Sequence, residues 1–320
     1  MESLSKNKLT TEQINSLTKK AFGKSADSIS ENTIGEFSAL YMITLADKEV
    51  VLKIAPKDDV RVLRYEKNAM QREVEALRLV RANTIVPVPE ILFYDTSKTL
   101  CNSEYFFAEK LHGDNFNTVM FDLSEKQKTS IIFQLGKLNR QINGIEHNKF
   151  GYLAHPNKHT DNWRDCFKGI ITDLLSDSRD LNVKISVPYV EIESIIDAYI
   201  HACDDVKTPK LVHWDLWNGN VLVRGNEISG IIDFERSLYA DVLMEHYFRK
   251  HAINADFNSG YGIDFAELAN NKNAKIRLAL YDLYIALIWQ IEYYSRNYDE
   301  GQLGWREEHL VLACNAFESL

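Results

Sequence analysis

Apolar and polar positions follow two different periods along the chain, and the period changes near residue 110. Before it, short runs rich in β-branched and aromatic residues predict strands at Ala39 to Leu45, Glu49 to Ile54 across the turn Ala46-Asp47-Lys48, Glu90 to Tyr94, and Tyr105 to Lys110. One helical pattern interrupts them. Met70, Val74, Leu77 and the aliphatic stem of Arg81 recur at helical spacing within 65–81, and Val86-Pro87-Val88-Pro89 forbids continuation. After residue 112 the pattern is mostly helical. Ser124 and Gln127 form a capping box ahead of Ile131, Leu135, Leu138 and Ile142. Further helices are predicted at 162–176, 189–205, 240–254, 274–296 and 305–319, with a short β insertion at 211–234. No repeat or Gly/Ser-rich linker divides the chain, so the order of elements alone predicts an α+β, two-lobed architecture. A small antiparallel-sheet N-lobe with one main helix is expected over residues 1–112, and a larger, mostly helical C-lobe over 113–320, with a ligand cleft between them.

Composition supports a folded protein with two cores: 320 residues, 45% hydrophobic and 26% charged. The formal net charge of -9, from 46 acidic and 37 basic residues, disfavours a nucleic-acid partner. It would suit a cationic substrate, but solubility alone accounts for such an excess, and charge does not choose the acceptor. The N-terminus MESLSKNKLT has no apolar segment, and no uncharged apolar run approaches the roughly 18 residues of a membrane span. A cytoplasmic location, no membrane partner and a monomer or weak homodimer are expected. Cys101, Cys166, Cys203 and Cys314 stand far apart without CxxC pairs, which predicts reduced, structural thiols.

The chemistry concentrates between His213 and Asp233. His213-Trp214-Asp215-Leu216-Trp217-Asn218-Gly219-Asn220 has the form H-x-D-x-x-x-x-N immediately before an apolar β-run. Phosphoryl transfer needs a carboxylate that orients and finally deprotonates the attacking hydroxyl, and oxygen ligands that hold magnesium on the phosphates; Asp215 and Asn220 offer these. Val221 to Asp233 reads as a hairpin about the Gly225-Asn226 turn. Pairing 224 with 227 sets 220 opposite 231 and brings Asp233 to the open end beside Asn220, within reach of one divalent ion. Taken singly, an Asp at a hairpin end more often caps a turn. The joint spacing outweighs that reading. A metal-dependent hydrolase with His213, Asp215 and Asp233 as ligands competes, but it explains neither Asn220 nor the upstream sheet.

With these motifs and with Ile231-Ile232-Asp233-Phe234-Glu235-Arg236, the chain resembles the aminoglycoside phosphotransferase family of small-molecule kinases. In that family the Asp after the hairpin replaces the D-F-G of protein kinases. The resemblance covers nearly the whole chain and implies a protein-kinase-like fold, ATP and Mg2+ as cofactors, and catalytic roles for Asp215 and His213. Trp214 departs from it, standing where the family commonly has glycine. The loop Asp215 to Asn220 is also similar to that of fructosamine kinases, which keeps sugar amines open as acceptors.

A kinase requires an N-lobe lysine on the α- and β-phosphates, and Lys53 in Val50-Val51-Leu52-Lys53-Ile54 is the candidate. Of its possible carboxylate partners, Glu73 shares the helix face of Met70, Val74, Leu77 and Val80, whereas Glu75 points away. Val51, on the same strand face as Lys53, is expected to cover adenine, and the hinge around Glu109 and Leu111 to offer backbone groups to it. Resemblance to the family adds Gly35 and Ser38 as phosphate-loop residues.

The link from Asp233 to the helix expected at Asp241 is short, which leaves no platform for a protein substrate. The expected partner is a small-molecule hydroxyl acceptor, such as an aminoglycoside-type antibiotic, with Asp241, Glu245, Asp282 and Glu292 as candidate contacts to its amines. Sugar amines, macrolides, choline and homoserine remain alternatives, as does a catalytically silent nucleotide-binding module on the same fold.

Overall fold

The structure, a computed structural model, describes residues 6–32, 37–264, 268, 270–296, 298 and 300–320. Its first helix, α1 (Thr11–Phe22), is opened by a reciprocal Thr10/Gln13 capping box and closed by Gly23 in the left-handed region. Five antiparallel strands follow: β1 (Ser28–Asn32), β2 (Ala39–Leu45), β3 (Lys48–Ile54), β4 (Ile91–Asp95) and β5 (Tyr105–Glu109), in the sheet order β1-β2-β3-β5-β4. The sheet is faced on both sides. Val50, Leu52, Ile54, Tyr105 and Phe107 point to the layer closed by Ile14 and Leu17 of α1. Phe106 and Ala108, displaced by one residue, point to Met70 and Val74.

Those last two belong to α2 (Ala69–Asn83), which starts later than the pattern predicts. Asn68 takes a left-handed conformation, φ 55°, and separates the helix from the short turn Arg64–Glu66. The opposite flank of α2, Ala76, Leu77 and Val80, joins the core of the C-lobe. The helix that carries Glu73 is therefore packed by both lobes.

The helices Glu125–Ile142, Trp163–Asp180, Tyr189–Tyr199, Lys272–Arg296 and Leu303–Asn315 form the C-lobe, with Lys272–Arg296 buried along most of its length. Two small sheets complete it. Asp114–Asn115 (β6) pairs with the hairpin Val221–Arg224 and Glu227–Ile231; Gly151–Tyr152 and Lys210–Val212 flank Leu238–Ala240. The helix expected over 240–254 does not form. Asp241 caps Leu243, and Glu245 is extended at φ -59°, ψ 151°, so the segment runs as two short turns, Val242–Met244 and His246–Phe248. The extended backbone at Glu245 breaks the helical hydrogen-bond ladder. Its side chain is engaged beneath the H-x-D loop. All four cysteines are free and buried, and among the described residues no helix is long and apolar enough to cross a membrane.

Candidate active site

Alternation along β3 turns Lys53 to the face opposite Leu52 and Ile54, and there its Nζ meets three carboxylates. Glu73 Oε2 lies at 2.6 Å, Asp233 Oδ1 at 2.8 Å and Glu235 Oε2 at 3.1 Å. Glu75, as the helix geometry requires, points elsewhere and accepts from Gln71 and from the Ala154 amide. Burial works against the Lys53 ammonium, but Asp233, Glu235 and Glu73 together hold its pKa well above the usual value. Burial likewise opposes ionisation of Asp233, and Lys53 overrides it, so this carboxyl sits below its ordinary range. Glu73 moves the other way: burial raises it, against the pull of Lys53 and with the push of Asp233 and Glu235. One ammonium among three carboxylates leaves two negative charges in excess when all are ionised. Such a cluster of hard oxygens fits a divalent cation.

Glu235 was not assigned a role from the sequence. Its spacing, two residues past Asp233, was visible, but the turn that brings both to Lys53 was not. Asp233 takes a left-handed conformation, φ 67° and ψ 60°, at the entry to the turn Phe234–Arg236. The backbone thereby reverses at the strand end and returns Glu235 to the same ammonium.

The hairpin register also differs from the expected one. Arg224 pairs with Glu227 as predicted, but a bulge at Ser229 shifts the ladder, so Ile231 faces Val221 instead of Asn220. The consequence is small, because the Ile232 amide donates to the Asn220 carbonyl at 3.0 Å and keeps Asn220 beside the approach to Asp233. Asn220 Nδ2 donates to the Asp215 carbonyl at 2.8 Å, which leaves its side-chain oxygen outside that bond.

His213 is fully buried. Its Nδ1 accepts from the Asp215 amide at 3.3 Å and its Nε2 donates to the Ile232 carbonyl at 3.0 Å, with Phe234 against the ring. These bonds tie His213, expected among the catalytic residues, between the H-x-D loop and the strand before Asp233. Glu245, also fully buried, completes the loop: Oε1 accepts from the His213 amide and from Asn139 and Asn143, and Oε2 from the Trp214 amide. Trp214 takes φ 68°, which explains why a glycine suits this position and why tryptophan here needs compensation. The compensation is visible. Its ring is buried against the guanidinium groups of Arg236 and Arg249, each at 5.2 Å, and Arg249 Nη2 donates to the Trp214 carbonyl at 2.5 Å. Asp215 keeps about a third of its side chain exposed to the cleft; burial raises its pKa, with Arg236 opposing.

On the nucleotide side, Val51 is half-buried on the Lys53 face of β3. The Glu109 amide donates to the Glu90 carbonyl at 2.9 Å. Leu111 packs toward Gly230, and a Cβ at Gly113 would collide with Ser229 and the Val223 backbone, so the hinge rests directly on the hairpin. Asn115 Nδ2 donates to the Gly219 carbonyl at 2.6 Å. Ser38 is buried beside Phe37, and Gly35 lies outside the described residues.

The four candidate acceptor contacts separate. Asp241 is bound by Arg277 and Tyr281, each at 2.8 Å, and Glu292 by Tyr65, Arg236 and Arg296. With Glu245, these are internal carboxylates committed to the scaffold, a correction that follows from their burial. Asp282 differs: half-buried, it accepts from the Lys250 amide at 3.3 Å through one oxygen, and the other has no hydrogen-bond partner.

Comparison with known proteins agrees with this geometry. Residues 30–248 match the phosphotransferase enzyme family. The probable ketoamine kinase of Vibrio vulnificus is 25% identical over 264 residues, spanning 78% of this chain and 81% of that protein. The aminoglycoside phosphotransferase APH(4)-Ia, in a ternary complex with AMP-PNP and hygromycin B, superposes with a TM-score of 0.70 at 16% identity, covering 96% of this chain and 100% of that chain. A candidate fructosamine-3-kinase from Haemophilus somnus superposes with a TM-score of 0.68 at 16% identity, covering 94% and 97%. At these identities the structural likeness concerns the two-lobed kinase fold.

Proposed function

The chain belongs to the phosphotransferase enzyme family and is a small-molecule kinase, and from that premise we propose that it moves the γ-phosphoryl group of ATP to a hydroxyl of an amine-bearing sugar. The observation that carries the reaction is the convergence of Lys53, Glu73, Asp233 and Glu235 at one point, with Asp215 on the adjoining loop. Lys53 holds the α- and β-phosphates, and Glu73 keeps its ammonium aimed. Asp215 orients the acceptor hydroxyl and takes its proton. Asp233, Glu235 and Asn220 would hold magnesium, which when bound neutralises phosphate charge. The lobe boundary is placed at residue 112: the segment before it binds ATP, with Val51, Glu109 and Leu111 at adenine, and the segment after it carries the catalytic loop.

The acceptor class rests on the names of the relatives, since ketoamine, fructosamine and aminoglycoside all denote amines carried on hydroxyl-rich rings or chains. Of the four candidate carboxylates, Asp282 is the one not held by an internal arginine or by several amides, although its unpartnered oxygen is buried. A coupled ADP-release screen over ketoamines, aminoglycosides, macrolides and simple amino alcohols, with and without magnesium, tests the reading. Turnover is expected with an amine-bearing sugar and only with magnesium. Turnover confined to acceptors lacking nitrogen, or indifferent to magnesium, would overturn it.

A further inference from the structure

Arg236 follows Asp233-Phe234-Glu235 directly, and only 12% of its side chain is exposed. Its Nη2 donates to Glu292 Oε1 at 2.7 Å, and its guanidinium faces the rings of Trp214 at 5.2 Å and Tyr65 at 5.4 Å. Its Nε lies 3.8 Å from Asp215 Oδ2, and among the described residues Arg236 is the one cation within ion-pair distance of that carboxylate. The separation matters. At that distance the contact is too long for a hydrogen bond. It constrains the carboxylate by charge while leaving its lone pairs to the acceptor hydroxyl.

Glu292 connects this pair to the other lobe. Besides Arg236 it accepts from the Tyr65 hydroxyl and, at 3.0 Å, from Arg296 Nη2, which also donates to Glu66 Oε1 at 2.6 Å. Charges thus alternate from Asp215 through Arg236, Glu292 and Arg296 to Glu66. Tyr65 and Glu66 lead into α2, the helix whose Glu73 holds Lys53, while Glu292 and Arg296 stand on the helix Lys272–Arg296. One buried network joins the proton-accepting carboxylate to the entry of the helix that sets the phosphate lysine. Buried ion pairs add little net stability against apolar replacements but fix geometry strongly, because a member left unpaired is costly.

We propose that Arg236 is a positioning residue for the phosphoryl transfer: it aims Asp215 and, through Glu292, makes that aim depend on the seating of Tyr65 and Glu66 against the C-lobe. The proposal rests on the kinase reading above. Its test compares Arg236→Met, Arg236→Lys and Glu66→Gln by steady-state kinetics and by amide hydrogen exchange. In Arg236→Met, kcat should fall by about tenfold or more while the KM for ATP changes by less than about threefold, the split expected when an interaction serves the transition state and not nucleotide binding. Arg236→Lys should recover part of the loss. Glu66→Gln, remote from Asp215, should lower kcat in the same sense by a smaller factor. Exchange over 63–72 should quicken in Arg236→Met and in Glu66→Gln, while exchange in the helix Glu125–Ile142 stays as in the wild type. A kcat within about twofold of wild type in Arg236→Met, or exchange that rises equally over 63–72 and in the helix Glu125–Ile142, would overturn the proposal. Should Arg236→Met not fold, Arg236→Lys and Glu66→Gln carry the same comparison. A wild-type protein that phosphorylates no acceptor would count against the kinase reading, and the exchange comparison would still decide the coupling.

Discussion

At the scale of single residues, burial decides which acidic side chains are available for chemistry. Asp282 is the clearest case: burial pushes its pKa up to about 6, with the Lys250 amide and Arg249 only partly offsetting it. Between the ordinary value of 3.8 and about 6 the folded chain holds a proton that the unfolded chain has lost, so this group's contribution to stability falls as pH rises through that window. Asp282→Asn should therefore melt above the wild type at pH about 7, and the two should converge below pH about 4. Melting curves across that range check it, and a variant that melts lower by a constant margin at every pH would contradict it. Much of the residue-scale detail was legible in the chain itself. Glu73 was separable from Glu75 because helical geometry assigns faces by spacing alone. Glu235 and Arg236 were not, because their meeting with Lys53 and with Asp215 depends on the left-handed backbone of Asp233, a conformation that Asp adopts more readily than most residues but that its spacing does not announce. The internal partners of Asp241, Glu245 and Glu292 were not legible, because a sequence does not reveal which acids face buried arginines and amides.

At the scale of elements, the strands with alternating or apolar faces and the long helices formed where the pattern placed them, with departures at β1, after Asp241 and at Ser229. Strand β1, Ser-Ile-Ser-Glu-Asn, buries none of its side chains fully and joins the sheet edge through backbone pairing with β2, so it leaves no hydrophobic signature. The segment after Asp241 reads as a helix but is drawn into turns where Glu245 reaches the His213 and Trp214 amides. The bulge at Ser229 replaces a simple two-residue register. After Asp241, the contacts of Glu245 with the two amides override the local helical preference. The same logic separates two glycines. Gly113→Ala should destabilise by about 1–3 kcal/mol, because its Cβ meets the Ser229 hydroxyl and the Val223 backbone across the hinge. Gly169→Ala, exposed within the helix Trp163–Asp180 with open space at its Cβ, should stabilise by about 0.5–1 kcal/mol through helix propensity. Urea unfolding of the pair measures both. Equal effects would mean that the hinge does not rest on the hairpin as described.

At the scale of the molecule, α2 is the element through which the lobes act as one enzyme. One flank packs on the sheet, the other on the C-lobe core, and Glu73 between them aims Lys53 at the turn that carries Asp233 and Glu235. The two-lobed organisation could be read from the change of period near residue 110, whereas the double packing of α2 could not, since a periodic apolar face does not reveal how many partners share it. The proposed reaction requires a carboxylate free to take a hydroxyl proton, and Asp215, about a third exposed, is the residue to which we assign that task. The most direct measurement follows phosphoryl transfer by phosphorus NMR, with ATP, magnesium and an amine-bearing sugar, in the wild type and in Asp215→Ala. The account predicts a phosphomonoester signal growing with ADP in the wild type, and none in Asp215→Ala although that variant still binds AMP-PNP. Product formation at an undiminished rate in Asp215→Ala would contradict it.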